Sequence, residues 1–161
     1  MSFRLAAAAA VAAIVAGPGA AGAQVLMEPN VGAKMALAIV EAAIAKAMEI
    51  QAPQCIAVVD AGGNLLAFVR MDGAKVLSQH TAVQKAVTAA TTRAATGNAP
   101  DDHALKLALA SGGRVTNLKG GLPIEVDGHV VGGIGVGSGT GDQDVAVAQA
   151  GIAALRPGPA G

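Results

Sequence analysis

The chain contains no tryptophan and no tyrosine, and its only aromatic side chains besides histidine are Phe3 and Phe68. A core without large aromatics has to be assembled from Ala, Val, Ile, Leu and Met. Many alanines, together with 22 glycines, let helices and strands approach closely but leave few large side chains to line a pocket. That composition suits a protein whose stability is shared with contacts between copies. Cys55 is the single cysteine, so no internal disulfide can form. It opens the apolar run Cys55–Val59 and reads as a small buried hydrophobe. Charge is sparse as well, at 14% of residues, and no basic run appears, which argues against nucleic acid as a partner. The three histidines, His80, His103 and His129, stand at no metal-ligand spacing, and there is no H-E-x-x-H and no cysteine pair.

The first residues have the grammar of a Sec-type secretory signal. Met1–Arg4 is a short basic n-region, Leu5–Ala16 an apolar h-region, and Ala21-Gly22-Ala23 an A-x-A cleavage site before Gln24. The h-region is shorter than the roughly 20 apolar residues that a membrane span needs. Residues 1–23 are therefore expected to be a signal peptide cleaved after Ala23, 24–155 one domain, and 156–161 a frayed tail. The expected location is periplasmic or secreted, with no membrane span after cleavage. The 11 basic side chains lose Arg4 with the leader while all 11 acidic ones stay, leaving a net charge of −1.

Along the domain, Asn30 is expected to cap a helix reaching about Ile50. Ala33, Ala36, Leu37, Val40, Ala43, Ile44 and Ala47 recur at three-and-four spacing, with Lys34, Glu41, Lys46 and Glu49 on the other side. Cys55–Asp60 and Leu65–Met71 read as two strands around the turn Ala61-Gly-Gly-Asn64. Ser78 is expected to cap a second helix to about Ala95, and Asp101 or Asp102 starts a shorter one ending by Ser111. Arg114–Leu118 reads as a short strand. Leu122–Asp127 and His129–Val136 form a second hairpin on the Asp127-Gly128 turn. Asp142 is expected to cap a last helix to Leu155. The order α-ββ-αα-(β)ββ-α points to an α+β fold, a central antiparallel sheet flanked by helices.

Candidate chemistry is concentrated near the second helix. His80, Val83, Val87, Ala90 and Ala94 share one stripe, and Ser78, Ala82, Lys85, Ala89 and Arg93 nearly the opposite one. His80 reads either as a packed, hydrogen-bonded residue or as a ligand. Lys85 and Arg93 either hold the carboxylates of a ligand or belong to a solvated face. Arg70-Met71-Asp72, at the end of the first hairpin, reads as a strand-end anchor or the edge of a pocket. Gly132–Gly141 joins a strand to a helix, so its amides form either an anion-binding nest or a close-packing surface. It lacks a P-loop lysine and a βαβ context, which disfavours nucleotide binding. No Ser-His-Asp or Cys-His arrangement is evident, so no catalytic residues are assigned.

Four blocks, Ala57–Ala74, Ser78-x3-Ala82-x2-Lys85-Ala86-x-Thr88-Ala89, Gly120–Gly128 and Gly132–Gly151, resemble the GlcG/HbpS family in order and spacing, from about residue 34 to 155. The resemblance implies a profilin-like α+β domain assembled into homo-oligomers. It also implies an exported binding protein for haem or a related tetrapyrrole, connected with redox or haem sensing and with a sensor ectodomain as a partner. Related domains end corrinoid proteins of the PduO type. An enzyme or accessory factor acting on a small carboxylate, of glycolate type or an aromatic acid, is the alternative. A haem-binding PduO relative carries an axial histidine on its first helix, whereas Asn30–Ile50 here has none. His80 or Met71 is then the candidate iron ligand, since imidazole and thioether both ligate haem iron. His80 is the expected metal-binding residue, and Arg70, Lys85 and Arg93 are the candidate propionate partners.

Overall fold

The computed structural model describes residues 27–155. The expected signal peptide and the 156–161 tail lie outside the described residues. The elements are α1 (Ala33–Glu49), β1 (Cys55–Asp60), β2 (Leu65–Arg70), α2 (Ser78–Thr92), α3 (Asp101–Ala110), β3 (Gly121–Val126), β4 (His129–Gly137) and α4 (Gly141–Ala153). The four strands form one antiparallel sheet in the order β2-β1-β4-β3. The fold is α+β, as the order of elements implied. Residues 114–118 form no strand. They are instead held by side chains of neighbouring elements: the Thr116 amide donates to Thr88 Oγ1 at 2.9 Å.

Two tight turns set the hairpins. In the first, the Asn64 amide donates to Asp60 Oδ1 at 2.8 Å and Gly63 takes a positive φ of 81°. In the second, Asp127 and Gly128 both have positive φ, 50° and 77°, the two-residue geometry that matches the twist of the strands.

The sheet buries both faces, and the two faces differ in kind. On one, α1 and α4 cover Ile56, Val58, Ile134 and Val136, with Ile39, Val147 and Ala148 from the helices. On the other, α2 covers Cys55, Ala57 and Val59 with Ala82, Ala86 and Ala90. Here glycine acts by its lack of a side chain. A Cβ on Gly133 would stand 2.9 Å from the Ala90 nitrogen, and one on Gly135 would fall on the Ala82 carbonyl oxygen. The glycine-dense segment is thus largely strand β4, and it lets α2 lie almost on the sheet.

The helix starts differ from those expected. Gly32 precedes α1, and the Asn30 side chain instead accepts a hydrogen bond from the Ala61 amide at 2.9 Å. Ser78 is the first residue of α2 rather than its cap. Thr140, not Asp142, caps α4, through a reciprocal capping box with Gln143. Within α1, Ile39 is fully buried and Leu37 is exposed. The wheel centre therefore lies nearer Ile39 than the alanine pattern suggested.

Candidate functional site

Because α2 is buried through its alanines, its flank is free to form a wall. Val83 and Val87 pack only partly against the sheet. Facing them, Leu65 and Phe68 lie on the outer strand β2, with the Gly62–Asn64 turn at the end of the first hairpin. The segment Ser111–Val115, after α3, closes the third side. Gln84 Nε2 donates to the Gly113 carbonyl and ties α2 to that segment. The result is a groove of about 790 Å³, within the range of cofactor and small-molecule sites. From His80 to Thr91 it follows α2 for about 16 Å at 1.5 Å per residue.

The groove's chemistry is mostly apolar. Its ionisable lining groups are His80 and Arg114 alone. Both are exposed, and glutamines 79 and 84 supply neutral polar edges. Asp60 lies just behind the turn that forms one wall. Partial burial works to raise its pKa, but the Asn64 side chain and amide and the Gly62 and Gly63 amides hold it below the usual carboxylate value. That hydrogen-bonded turn fixes the wall's shape.

Of the candidate binding residues Arg70, Met71, His80, Lys85 and Arg93, only His80 lines this groove, together with Val83 and Val87 of its stripe. Lys85 reads differently in the structure. It is buried, and its Nζ donates to Asp144 Oδ2 at 2.7 Å and to the Val136 carbonyl at 2.6 Å. Gly120 makes room for it, since a Cβ there would lie 3.0 Å from Nζ. Burial pushes the Asp144 carboxyl above the usual range, opposed by hydrogen bonding and attraction to Lys85 and by the Gly139 amide. This pair joins α2 to α4 and offers no ammonium to a ligand.

Met71 packs against the α1 and α4 side of the sheet, and its sulfur accepts from the Gln54 amide at 3.4 Å. Arg70 donates to the Ala74 carbonyl at 3.2 Å, anchoring the loop that follows β2. Arg93, the left-handed residue ending α2, lines a separate pocket of about 250 Å³ with Glu28 and His129. The three basic residues and the glycine loop therefore do not converge on one anion site. Cys55 is buried as expected, its Sγ 3.7 Å from the Lys75 carbonyl, and burial raises its pKa despite the charge of Arg70. Among the described residues no cluster of three or more His, Cys, Asp or Glu side chains is arranged to hold a metal ion. No helix among them is long and apolar enough to cross a membrane.

Phe68, Leu65 and Arg114 went unnoticed as site residues in the sequence. Phe68 carried one signal, as the sole aromatic of the domain on a mostly aliphatic strand. Arg114 carried none, because its place depends on how the α3–β3 connection returns along α2.

Comparison with known proteins gives the same architecture. The crystal structure of HbpS superposes with a TM-score of 0.75 at 33% identity, covering 86% of this chain and 99% of that one. The crystal structure of a PduOC–haem complex does so with a TM-score of 0.72 at 29% identity, covering 80% and 97%. Protein GlcG of Escherichia coli K12 is 38% identical over 104 residues, 64% of this chain and 78% of GlcG. Residues 31–153 match the family described as "Haem degrading protein HbpS-like", and the chain belongs to that family.

Proposed function

We propose that the protein binds haem or a related tetrapyrrole in the groove between α2 and β2, as an exported, oligomeric binding protein acting in haem or redox sensing. The observation that carries this reading is the groove itself: about 790 Å³, lined by Leu65, Phe68, Val83 and Val87, with an imidazole and a guanidinium as its ionisable groups. Those residues fit a flat apolar macrocycle that carries a metal and acidic substituents. His80 would ligate the iron, and Arg114 would pair with a propionate, the part first considered for Arg70, Lys85 and Arg93. The bound group would supply redox and ligand-binding chemistry at iron. The chain would contribute an apolar enclosure, the His80 imidazole and the Arg114 counter-charge.

Family membership and the likeness to a PduOC–haem complex support the choice of ligand. The leader-like N-terminus supports export. Exposed apolar side chains beside β2 support assembly into homo-oligomers, and a sensor ectodomain is the partner class that a secreted sensing protein would engage.

Titration of the purified apo-protein with hemin tests it. A saturable Soret shift at micromolar protein is expected. His80→Ala should alter the ligand-field spectrum and weaken binding while leaving the fold unchanged. Absence of a saturable shift in the wild-type protein overturns the proposal.

A further inference from the structure

A second cavity, of about 580 Å³, lies beyond the Ser111–Val115 wall, between the C-terminal turns of α2 and the inner side of α3. Its walls are alanines 94, 95, 99 and 104 with Leu107 and Val115. The polar side chains around it are almost all committed elsewhere. Thr88 Oγ1 donates to the Gln84 carbonyl and accepts from the Thr116 amide. Thr92 and Thr96 donate to the Thr88 and Leu118 carbonyls. The Asn117 side chain donates to the Ala99 carbonyl and accepts from the amides of Gly97 and Ala99. Ser111 donates to the Ala108 carbonyl and accepts from the Val115 amide. Asn98 and His103 alone have no such partner among the described residues.

The helix over this cavity is unusually exposed. None of the ten residues of α3 is buried, and Leu107 is 40% exposed although it faces inward. A helix this short is marginal without a packed face, so α3 lacks the burial that would hold it.

We infer that this cavity is a binding site for a small, neutral, apolar molecule, and that α3 packs down on that molecule when it binds. Satisfied polar walls give a charged or strongly polar ligand nothing to exchange for its hydration. An apolar ligand loses only its contact with water and gives Leu107, Ala104 and Val115 a partner. His103 or Asn98 has room for one hydroxyl or carbonyl. The volume falls within the range of small-molecule sites. This site does not depend on the haem reading of the first groove.

The neutral fluorophore N-phenyl-1-naphthylamine is a suitable probe, because a chain without Trp or Tyr contributes little background. Saturable binding at one probe per chain with a blue shift is expected, accompanied by slower amide exchange in 101–110. Ala104→Phe, which fills the cavity, should raise the Kd about tenfold or more, a loss of about 1.4 kcal/mol. Leu109→Gln on the outer face, where Leu109 is 73% exposed, should leave it unchanged. Binding that does not saturate, or α3 exchange unaltered by probe, overturns the proposal. Loss of binding in Leu109→Gln also overturns it and points to a contact between copies instead. The exchange readout on the unsubstituted protein decides the matter should Ala104→Phe fail to fold.

Discussion

At the scale of single residues, Lys85 shows how burial changes the meaning of a charge. On a helical wheel it lies with alanines, where a lysine reads first as part of a solvated face and only then as a site. In the fold it is 4% exposed and held by Asp144 and the Val136 carbonyl. Removing one partner of such a pair leaves an uncompensated buried charge, typically a cost of about 3–5 kcal/mol. Lys85→Met should therefore destabilise the protein by about that much in denaturant titrations.

The pH dependence of that variant has a definite sign. Without Lys85, Asp144 keeps the burial that raises its pKa and loses the hydrogen bond and charge that oppose it. A carboxyl whose folded pKa lies above its unfolded value binds protons preferentially in the native state, so stability falls as pH rises through that window. Lys85→Met should accordingly regain stability as the pH is lowered toward the folded pKa of Asp144. A deficit that does not vary with pH would show that the loss is one of packing rather than charge.

At the scale of elements, β4 and α2 form the contact that positions the groove. Their approach depends on Gly133 and Gly135 having no side chains, whereas Gly128 is needed for its positive φ and has nothing within 4 Å of a Cβ. These are different requirements. Gly135→Ala should force α2 off the sheet at a cost of about 3 kcal/mol or more. Gly128→Ala should cost only about 1 kcal/mol of backbone strain. Equal thermal shifts for the two would contradict the close-approach account.

The hairpins were legible in the sequence because turn residues announce them, Asp127-Gly128 above all. The seating of α2 was harder to read. A helix buried through Ala82, Ala86 and Ala89 against glycine gives a weak hydrophobic contrast, so Val83 and Val87 looked like its buried stripe and Lys85 its solvated one. The stripe His80-Val83-Val87 was nevertheless noticed, and it is one wall of the groove. The opposite walls come from β2 and the α3–β3 connection, whose meeting with α2 is a tertiary fact with no local signal. The helix starts were displaced by a residue or two: α1 and α2 begin after Gly32 and Leu77 with no side-chain cap, and at α4 hydrogen-bond geometry selects Thr140 over Asp142.

At the scale of the whole molecule, the sheet has two open edges with unequal protection. On β3, Pro123 removes one backbone donor and Glu125 places a charge, two devices that discourage strand pairing between chains. On β2 there is no proline, and the one charge, Arg70, stands at the strand's last residue with its guanidinium on the Ala74 carbonyl, leaving Leu65–Val69 apolar. Leu65 and Phe68 remain partly exposed, and Val76 and Leu77, just after it, are 68% and 72% exposed. An apolar surface beside the less protected edge is the kind that another chain covers. The oligomer in our reading of the function is therefore assigned to this side, next to the groove. Sedimentation of a chain beginning at Gln24 should show a species larger than one chain. Leu77→Glu should shift it toward the monomer with helix content retained, since a carboxylate at the start of α2 complements the helix dipole and only the contact between copies suffers. A wild-type protein that sediments as a monomer at tens of micromolar, or an assembly indifferent to Leu77→Glu, would place the contact elsewhere or remove it.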